Sequence, residues 1–451
     1  MNIDRRRLFA AFAVSAGVAT PALARDDRET MPPSDAASLG LRPNAAEDQS
    51  AALQRAIERA AAARTVLRPP PGLYRAGALQ LPPYAAIAGV PGATRIVMTG
   101  GPSLLSATAS DHVSISGLVL DGAGIALPDG RGLAHFAQGR AVRITDCEIV
   151  NAGRNGITLE AIGGEVTGNT VTAAADYAIF SIDARGLKIA GNTVRGAGNG
   201  GILVWRNTPG DDGTLVVDNR VEDIANKLGG SGQWGNAINV FRAGNVIVRG
   251  NRIRNAAYSA VRGNAASNLQ IVGNTCTGIG EVALYAEFGF QGALIANNIV
   301  DGAAVGVSIT NLNDGGRLAV VQGNLIRNLR RGRPAGSDAI DAPAIGITVE
   351  ADTAVSGNVI ENVEGTGIQA GWGEYLRDVA VNANVVRAAD IGIAVSVVHG
   401  AGTALIADNL ISGARMGAIL GMEWTKPVSG DLGKDGAARY AQLSIGGNRV
   451  R

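Results

Sequence analysis

One unit recurs along most of this chain and limits what it can fold into. Val246 to Val261 shows it whole: a short β-branched run, a Gly-Asn corner, an apolar residue two places on, and a second start at a small residue followed by an aliphatic one. The corner asparagines are Asn169, Asn192, Asn219, Asn251, Asn274, Asn298, Asn324, Asn358, Asn384, Asn409 and Asn448. The tightest spacing is 23 residues, as from Asn251 to Asn274, and gaps as long as the 39 from Asn409 to Asn448 end in the same unit. A fixed period with variable extras on one side is the signature of a solenoid, in which each repeat packs only on its neighbours. The period is too short for helical solenoids, and the Leu/Asn consensus of leucine-rich repeats is missing.

Composition agrees with short strands and tight turns. The chain has 63 glycines in 451 residues, only 4% aromatics, and 46% hydrophobic residues. Glycine at that density disfavours helical bundles, where each costs about 1 kcal/mol against alanine. The formal charge of +1 gives no global field for nucleic acid, so no nucleic-acid partner is expected. Cys147 and Cys276 lie five repeats apart, roughly 24 Å at about 4.8 Å per stacked strand, too far for a disulfide. Both are expected as small buried residues.

Residues 1–24 are expected to be an address rather than structure. A basic stretch, Arg5-Arg6-Arg7, precedes a short apolar run and the small-residue site Ala22-Leu23-Ala24. The run is too short to span a bilayer, so no membrane span is expected in the mature form. Arg6-Arg7-Leu8-Phe9 resembles the twin-arginine motif, which implies the twin-arginine export machinery as a partner and a periplasmic or secreted location. Residues 25–34 read as a flexible segment, 35–112 as an N-terminal cap with the first coils, and 113–451 as the repeats.

A helix is predicted from Glu47 to Arg64, its apolar positions Leu53, Ala56, Ile57, Ala60 and Ala61 on one face, with Asn44 as a candidate cap. Then come Pro70-Pro71-Gly72-Leu73-Tyr74 and the first strands. This opening resembles the entry of pectin-lyase-like right-handed β-helix proteins, where an amphipathic helix closes the open end and a strand of this kind starts the first coil. The prediction is an all-β, right-handed parallel β-helix of about twelve coils with an N-terminal capping helix. The corner asparagines are read as structural: Asn tolerates left-handed backbone angles at a turn, and stacked amides can pair along the axis.

A β-helix has an apolar core, so function must lie on outward positions. Counting from the small residue that starts each second strand, +1 and +3 point in and +2 and +4 point out. The +4 positions then read Trp205, Phe241, Asn264, Glu287, Thr310 and Glu350 along successive coils. The +2 positions read Asn239, Arg262, Tyr285 and Ser308. Arg206, Arg242, Phe288 and Trp372 lie just beyond. Aromatics beside carboxylates, amides and arginines suit a polysaccharide or oligosaccharide: rings stack on sugar faces, and planar polar groups meet hydroxyls and uronates. The substrate-binding candidates are therefore Trp205, Arg206, Asn239, Phe241, Arg242, Phe288 and Trp372. Three inserts, Ala225–Gly235 with Trp234, Arg327–Pro343 and Trp424–Tyr440, could wall this strip or simply cover it.

Two catalytic sets can be assembled. Glu287 and Glu350, two coils apart at about 9.6 Å, approach the separation of an inverting glycoside hydrolase. Alternatively Arg262 or Tyr285 could act as the base of a β-elimination, with Arg242 offsetting uronate charge. The Gly-His-Gly of pectinase-type hydrolases is absent, as are the acidic cluster of calcium-dependent pectate lyases and the Asp-Pro-His of mannuronan epimerases. His112 and His135 read as structural, and His399 as a candidate just past the strip. Arg327, Arg330, Arg331 and Arg333 form a basic run on one insert, read as a solvated loop or an acidic-glycan contact. No metal spacing, phosphate loop or haem motif occurs, so no cofactor is expected. The whole chain resembles exported β-helix repeat proteins of Gram-negative bacteria, a group that supplies no catalytic residues. A lyase or glycoside hydrolase and a non-catalytic glycan-binding or envelope-scaffold protein both stay open.

Overall fold

A computed structural model describes residues 40–230, 232–335, 337 and 342–451. The expected export signal and the flexible segment lie outside the described residues. The rest is a parallel solenoid. The strands before the corner form one 14-stranded sheet, and the strands of the other two sides, together with the hairpin strand Lys426–Asp431, merge into a 28-stranded sheet. One coil serves for all: Ile247–Arg249 runs to the corner, Arg252–Ala256 leaves it, and Val261–Asn264 forms the third side. Among the described strands pairing is parallel except for the hairpin of Gly417–Glu423 with Lys426–Asp431, and Trp372 forms an isolated antiparallel bridge with Tyr375.

Fourteen coils replace the expected twelve. The first coil turns at Gly89-Val90, and Leu118 and Cys147 hold the asparagine's place in the second and third, so a count by asparagine undercounts them.

The core is one continuous stack of Val, Ile, Leu and Ala, with Ile238, Val248, Val261 and Ile271 sealed from water. Each such side chain stabilises the fold by about 1.5–3 kcal/mol. Beside it runs the asparagine ladder. The Asn251 backbone N–H and Nδ2 both donate to Asn274 Oδ1 at 2.9 Å, while Asn251 Nδ2 also donates to Val216 O. Asn274 repeats this toward Asn298 and Val248 O. The left-handed residue is the one before the asparagine: Gly250 has φ +68 and Gly273 +68, whereas Asp218 and Asn297 reach similar angles in other coils. The asparagine therefore recurs from coil to coil for its amide, not for its backbone angle.

Helix α1 (Ser50–Ala62) closes the N-terminal end with Leu53, Ala56, Ile57, Ala60 and Ala61 buried. Its start differs from expectation. Gln49 occupies the cap position, and the Asn44 side chain instead accepts from Leu73 N at 3.1 Å, tying the approach segment to the first strand. Tyr74 is fully buried and donates to Pro70 O at 2.8 Å, which locks the Pro-Pro-Gly turn.

Candidate functional site on the outward strip

Third-side strands stack in a register that keeps each outward position in its own column. Leu203, Asn239, Arg262, Tyr285, Ser308 and Thr348 follow one another rung by rung. Trp205, Phe241, Asn264 and Glu287 form the neighbouring column. A small residue starts these strands because nothing larger fits: a Cβ on Gly201 would collide with Ala237 O in the next coil.

Aromatic rings gather at the N-terminal part of the strip. Trp205 lies 5.3 Å edge-on to Phe180, 5.6 Å from Phe241 and 6.0 Å from Trp234, with which it stacks, while Tyr177 lies 5.9 Å from Trp234. Trp205 Nε1 donates to Asn239 Oδ1 at 3.0 Å, which fixes the indole plane. Arg242 sits over the Phe241 ring at 4.6 Å. Trp205, Phe241 and Trp234 are each half-buried, with Trp234 of the first insert laid on Trp205.

The next two rungs are ionic. Arg262 Nε donates to Glu287 Oε1 at 2.6 Å and Nη2 to Oε2 at 3.0 Å, while Asn264 Nδ2 donates to Glu287 Oε1 at 2.9 Å. Arg262 Nη1 donates to Gly232 O of the insert at 2.5 Å and lies 4.0 Å from Glu281. Burial works against the Arg262 charge, but Glu287, Tyr285 and Glu281 outweigh it and hold its pKa above the ordinary value. Tyr285, with Arg262 over its ring at 5.1 Å, has its phenol pushed up by burial and by Glu287. Both shifts disfavour either group as a base at neutral pH.

Glu287 is 2% exposed. Glu350 sits in line further on but is committed elsewhere: Oε2 accepts from Leu312 N at 2.7 Å, at the start of the turn Leu312–Asp314. Burial raises its pKa against those backbone donors. The two carboxylates thus share a column, each engaged by its own donors.

Other expected residues scatter. Arg206 turns off the strip, donating to Thr208 O and Ala184 O and lying 3.8 Å from Asp212. Phe288 is on the strip edge, 40% exposed. Trp372 sits farther along, edge-on to Trp424 at 5.6 Å. Three members of the basic run are absorbed by acids of neighbouring coils: Arg327 pairs with Asp301, Arg330 with Glu364 and Arg331 with Asp390. His399 is remote from the ionic rungs in chain order and lies in the loop after Ser396.

The inserts differ in role. The first two meet beside the strip at Tyr258, whose Oη donates to Gly230 O at 2.8 Å and lies 3.1 Å from Ala335 O. The third becomes an end cover, with Asp431 accepting from Ala418 N and Ile419 N. Sequence reading missed Glu281 and Tyr177. Glu281 lies mostly buried between Arg262 and the second insert, its Oε2 is sealed from water with no hydrogen-bond donor among the described residues, and burial raises its pKa. It stands before the strand start, outside the alternating columns, so no periodic signal marks it. Among the described residues no group of three or more His, Cys, Asp or Glu could hold a metal ion.

The chain belongs to the right-handed β-helix family, whose model matches residues 108–221 and 207–386. Its fold is that of the pectin-lyase-like right-handed parallel β-helices. A search of the curated proteins finds no match. Among solved structures it is similar to the catalytic unit of a GH87 α-1,3-glucanase from Streptomyces thermodiastaticus, at 13% identity and TM-score 0.50, covering 94% of this chain and 70% of that one. It is likewise similar to the N-terminal fragment of bacteriophage phi29 gene product 12, at 15% identity and TM-score 0.50, covering 91% and 73%. The A-module of the mannuronan C-5 epimerase AlgE6 from Azotobacter vinelandii aligns at 15% identity and TM-score 0.47, covering 92% and 98%. At these identities the likeness is one of fold.

Proposed function

We propose that this chain is an exported protein that binds a polysaccharide along the outward strip. The observation that carries this reading is the half-exposed ring cluster of Trp205, Phe241 and Trp234 set directly beside the Arg262–Glu287–Asn264 group. Rings of that kind stack on sugar faces, and Asn239, Arg242 and Asn264 offer donors at the same level. Glu287 and Glu350 act as braces that hold the walls. Export rests on Arg6-Arg7-Leu8-Phe9, which gives the protein a periplasmic or extracellular address. The glucanase among the fold neighbours is compatible with a saccharide ligand and supplies no residue.

Cleavage is a second reading, favoured by one observation. Glu281 is a mostly buried carboxyl with a raised pKa, and its Oε2 lies 4.0 Å from Arg262 with no hydrogen-bond donor among the described residues, the environment of a general acid. Purified protein screened on a glycan array, with reducing-end release and the ultraviolet absorbance of unsaturated uronates followed in parallel, tests both. Retention abolished by Trp205→Ala, with neither product signal, supports binding alone. Reducing ends that vanish in Glu281→Gln support hydrolysis. Unsaturated product would sink both assignments, and no retention at all would sink the glycan reading.

A further inference from the structure

The outer face of the 14-stranded sheet, on the other side of the solenoid from the strip, changes character along the axis. In the N-terminal coils its central column reads Arg143, Glu165, Lys188. From Leu215 onward it holds no charge for eight successive coils, ending at Leu405. The adjacent outward column from Val217 to Ala407 carries one charge, Arg249. Val320 and Leu405 are 37% and 44% exposed, and a depression of about 670 Å³ lies across Leu294, Leu318, Val320, Ala354 and Ala380, with Asp352 and Asp378 along its edge. The face is about 34 Å long by strand spacing, and an uncharged surface that size on a water-facing sheet signals a partner.

We infer that this face pairs with the same face of a second copy, inverted about a two-fold axis between the Val320 and Ala354 coils. Three features select that occupant. The first is shape: Leu294 and Val320 are bulky rungs and Ala354 and Ala380 recessed ones, in the order Leu294, Val320, Ala354, Ala380. Inversion lays Val320 on Ala354 of the other copy and Leu294 on Ala380, ridge into hollow, an isologous contact. The second is charge: at the edge of the face Asp352 pairs with Arg317 at 2.6 Å and Arg377 at 2.8 Å, and Asp378, which accepts from the Thr403 hydroxyl, balances the second arginine, so like faces meet without net charge. The third is area. With this axis the eight coils from Ile247 to Ser444 overlap, about 34 Å long and about 15 Å wide, which buries roughly 1,000 Å² in total, the least that a specific interface needs. Beyond Lys188 the two columns carry no Trp, Tyr or Lys, the residues a lipid surface selects. The contact leaves the strip uncovered.

Sedimentation of the full chain at micromolar concentrations tests this. The expected result is a species of twice 45.8 kDa. Val320→Glu and Ala354→Lys should each yield monomer. An equimolar mixture of the two should restore the dimer, because the carboxylate introduced in one copy then faces the ammonium introduced in the other. A monomeric parent, or a dimer indifferent to both substitutions, overturns the inference. Should either variant misfold by circular dichroism, the Leu294→Cys/Ala380→Cys chain under mild oxidant decides instead: a covalent dimer supports the register and its absence refutes it.

Discussion

Arg262 and Glu287, on successive coils, form a two-pronged ion pair at 2.6 and 3.0 Å that also fastens the Ala225–Gly235 insert through Gly232 O. Removing one partner of a buried pair strands the other, at a cost of about 3–5 kcal/mol. Glu287→Gln should therefore lower the unfolding free energy by about 3 kcal/mol, and amide exchange across the insert should quicken. Arg262→Met combined with Glu287→Gln should cost less than the sum of the single changes. Unchanged exchange in the insert would show that the pair is not its fastening.

Trp205 meets Phe180 and Phe241 edge to face and stacks with Trp234. Trp205→Ala should weaken glycan retention at least about tenfold, as expected for the loss of a stacking platform worth about 1.4 kcal/mol. Phe288→Ala, at the strip edge, should weaken it less. Equal effects from the two substitutions, measured by affinity electrophoresis, would move the centre of the site.

The ladder predicts stability. Asn274→Ala removes the acceptor of both Asn251 donors and the donor to Val248 O. With each stranded buried group costing about 1–3 kcal/mol, a loss of about 3–4 kcal/mol is expected in chemical denaturation. A loss under about 1 kcal/mol would mean that water enters the corner and takes over those bonds.

Acid should destabilise the N-terminal coils through His135. Burial lowers its pKa to about 4, helped by Arg131. The unfolded chain therefore binds the proton first, at about 6.5. Stability is full above that value and falls as the pH drops toward about 4, by roughly 3 kcal/mol. His135→Phe should flatten the slope of unfolding free energy against pH in this window; an unaltered slope would assign it to other groups.

Glu350 is raised by burial, so its proton is held more tightly when folded, and its contribution to stability falls as the pH rises through the folded pKa. Glu350→Gln should keep an acceptor for Leu312 N and leave stability at neutral pH equal or slightly higher. Should turnover on a proven substrate vanish in this variant while binding persists, Glu350 would be catalytic rather than a brace.

Fold and register were legible because both are written in short-range patterns. The β-branched runs, the small residue opening each third side and the Gly-Asn corner recur at a readable period. That period alone places Arg262 next to Asn239 and Glu287 next to Asn264 in their columns, as the strand pairing has them. The cap of α1 was not legible. Asn44 has the chemistry of a cap, yet its side chain meets the strand start at Leu73 rather than the helix.

The site divides the same way. Alternation along a strand says which side chains leave the core; it says nothing of what an insert then lays over them. Trp234 on Trp205, Gly232 on Arg262 and Leu312 on Glu350 are contacts between segments whose separation in sequence carries no period, as is the position of Glu281. The amino-acid sequence by itself determined the solenoid, its ladder and its outward columns, since each depends only on a residue and its neighbours one coil away. Only the tertiary structure decided which of those outward groups stay free to meet a ligand and which spend their hydrogen bonds holding the walls.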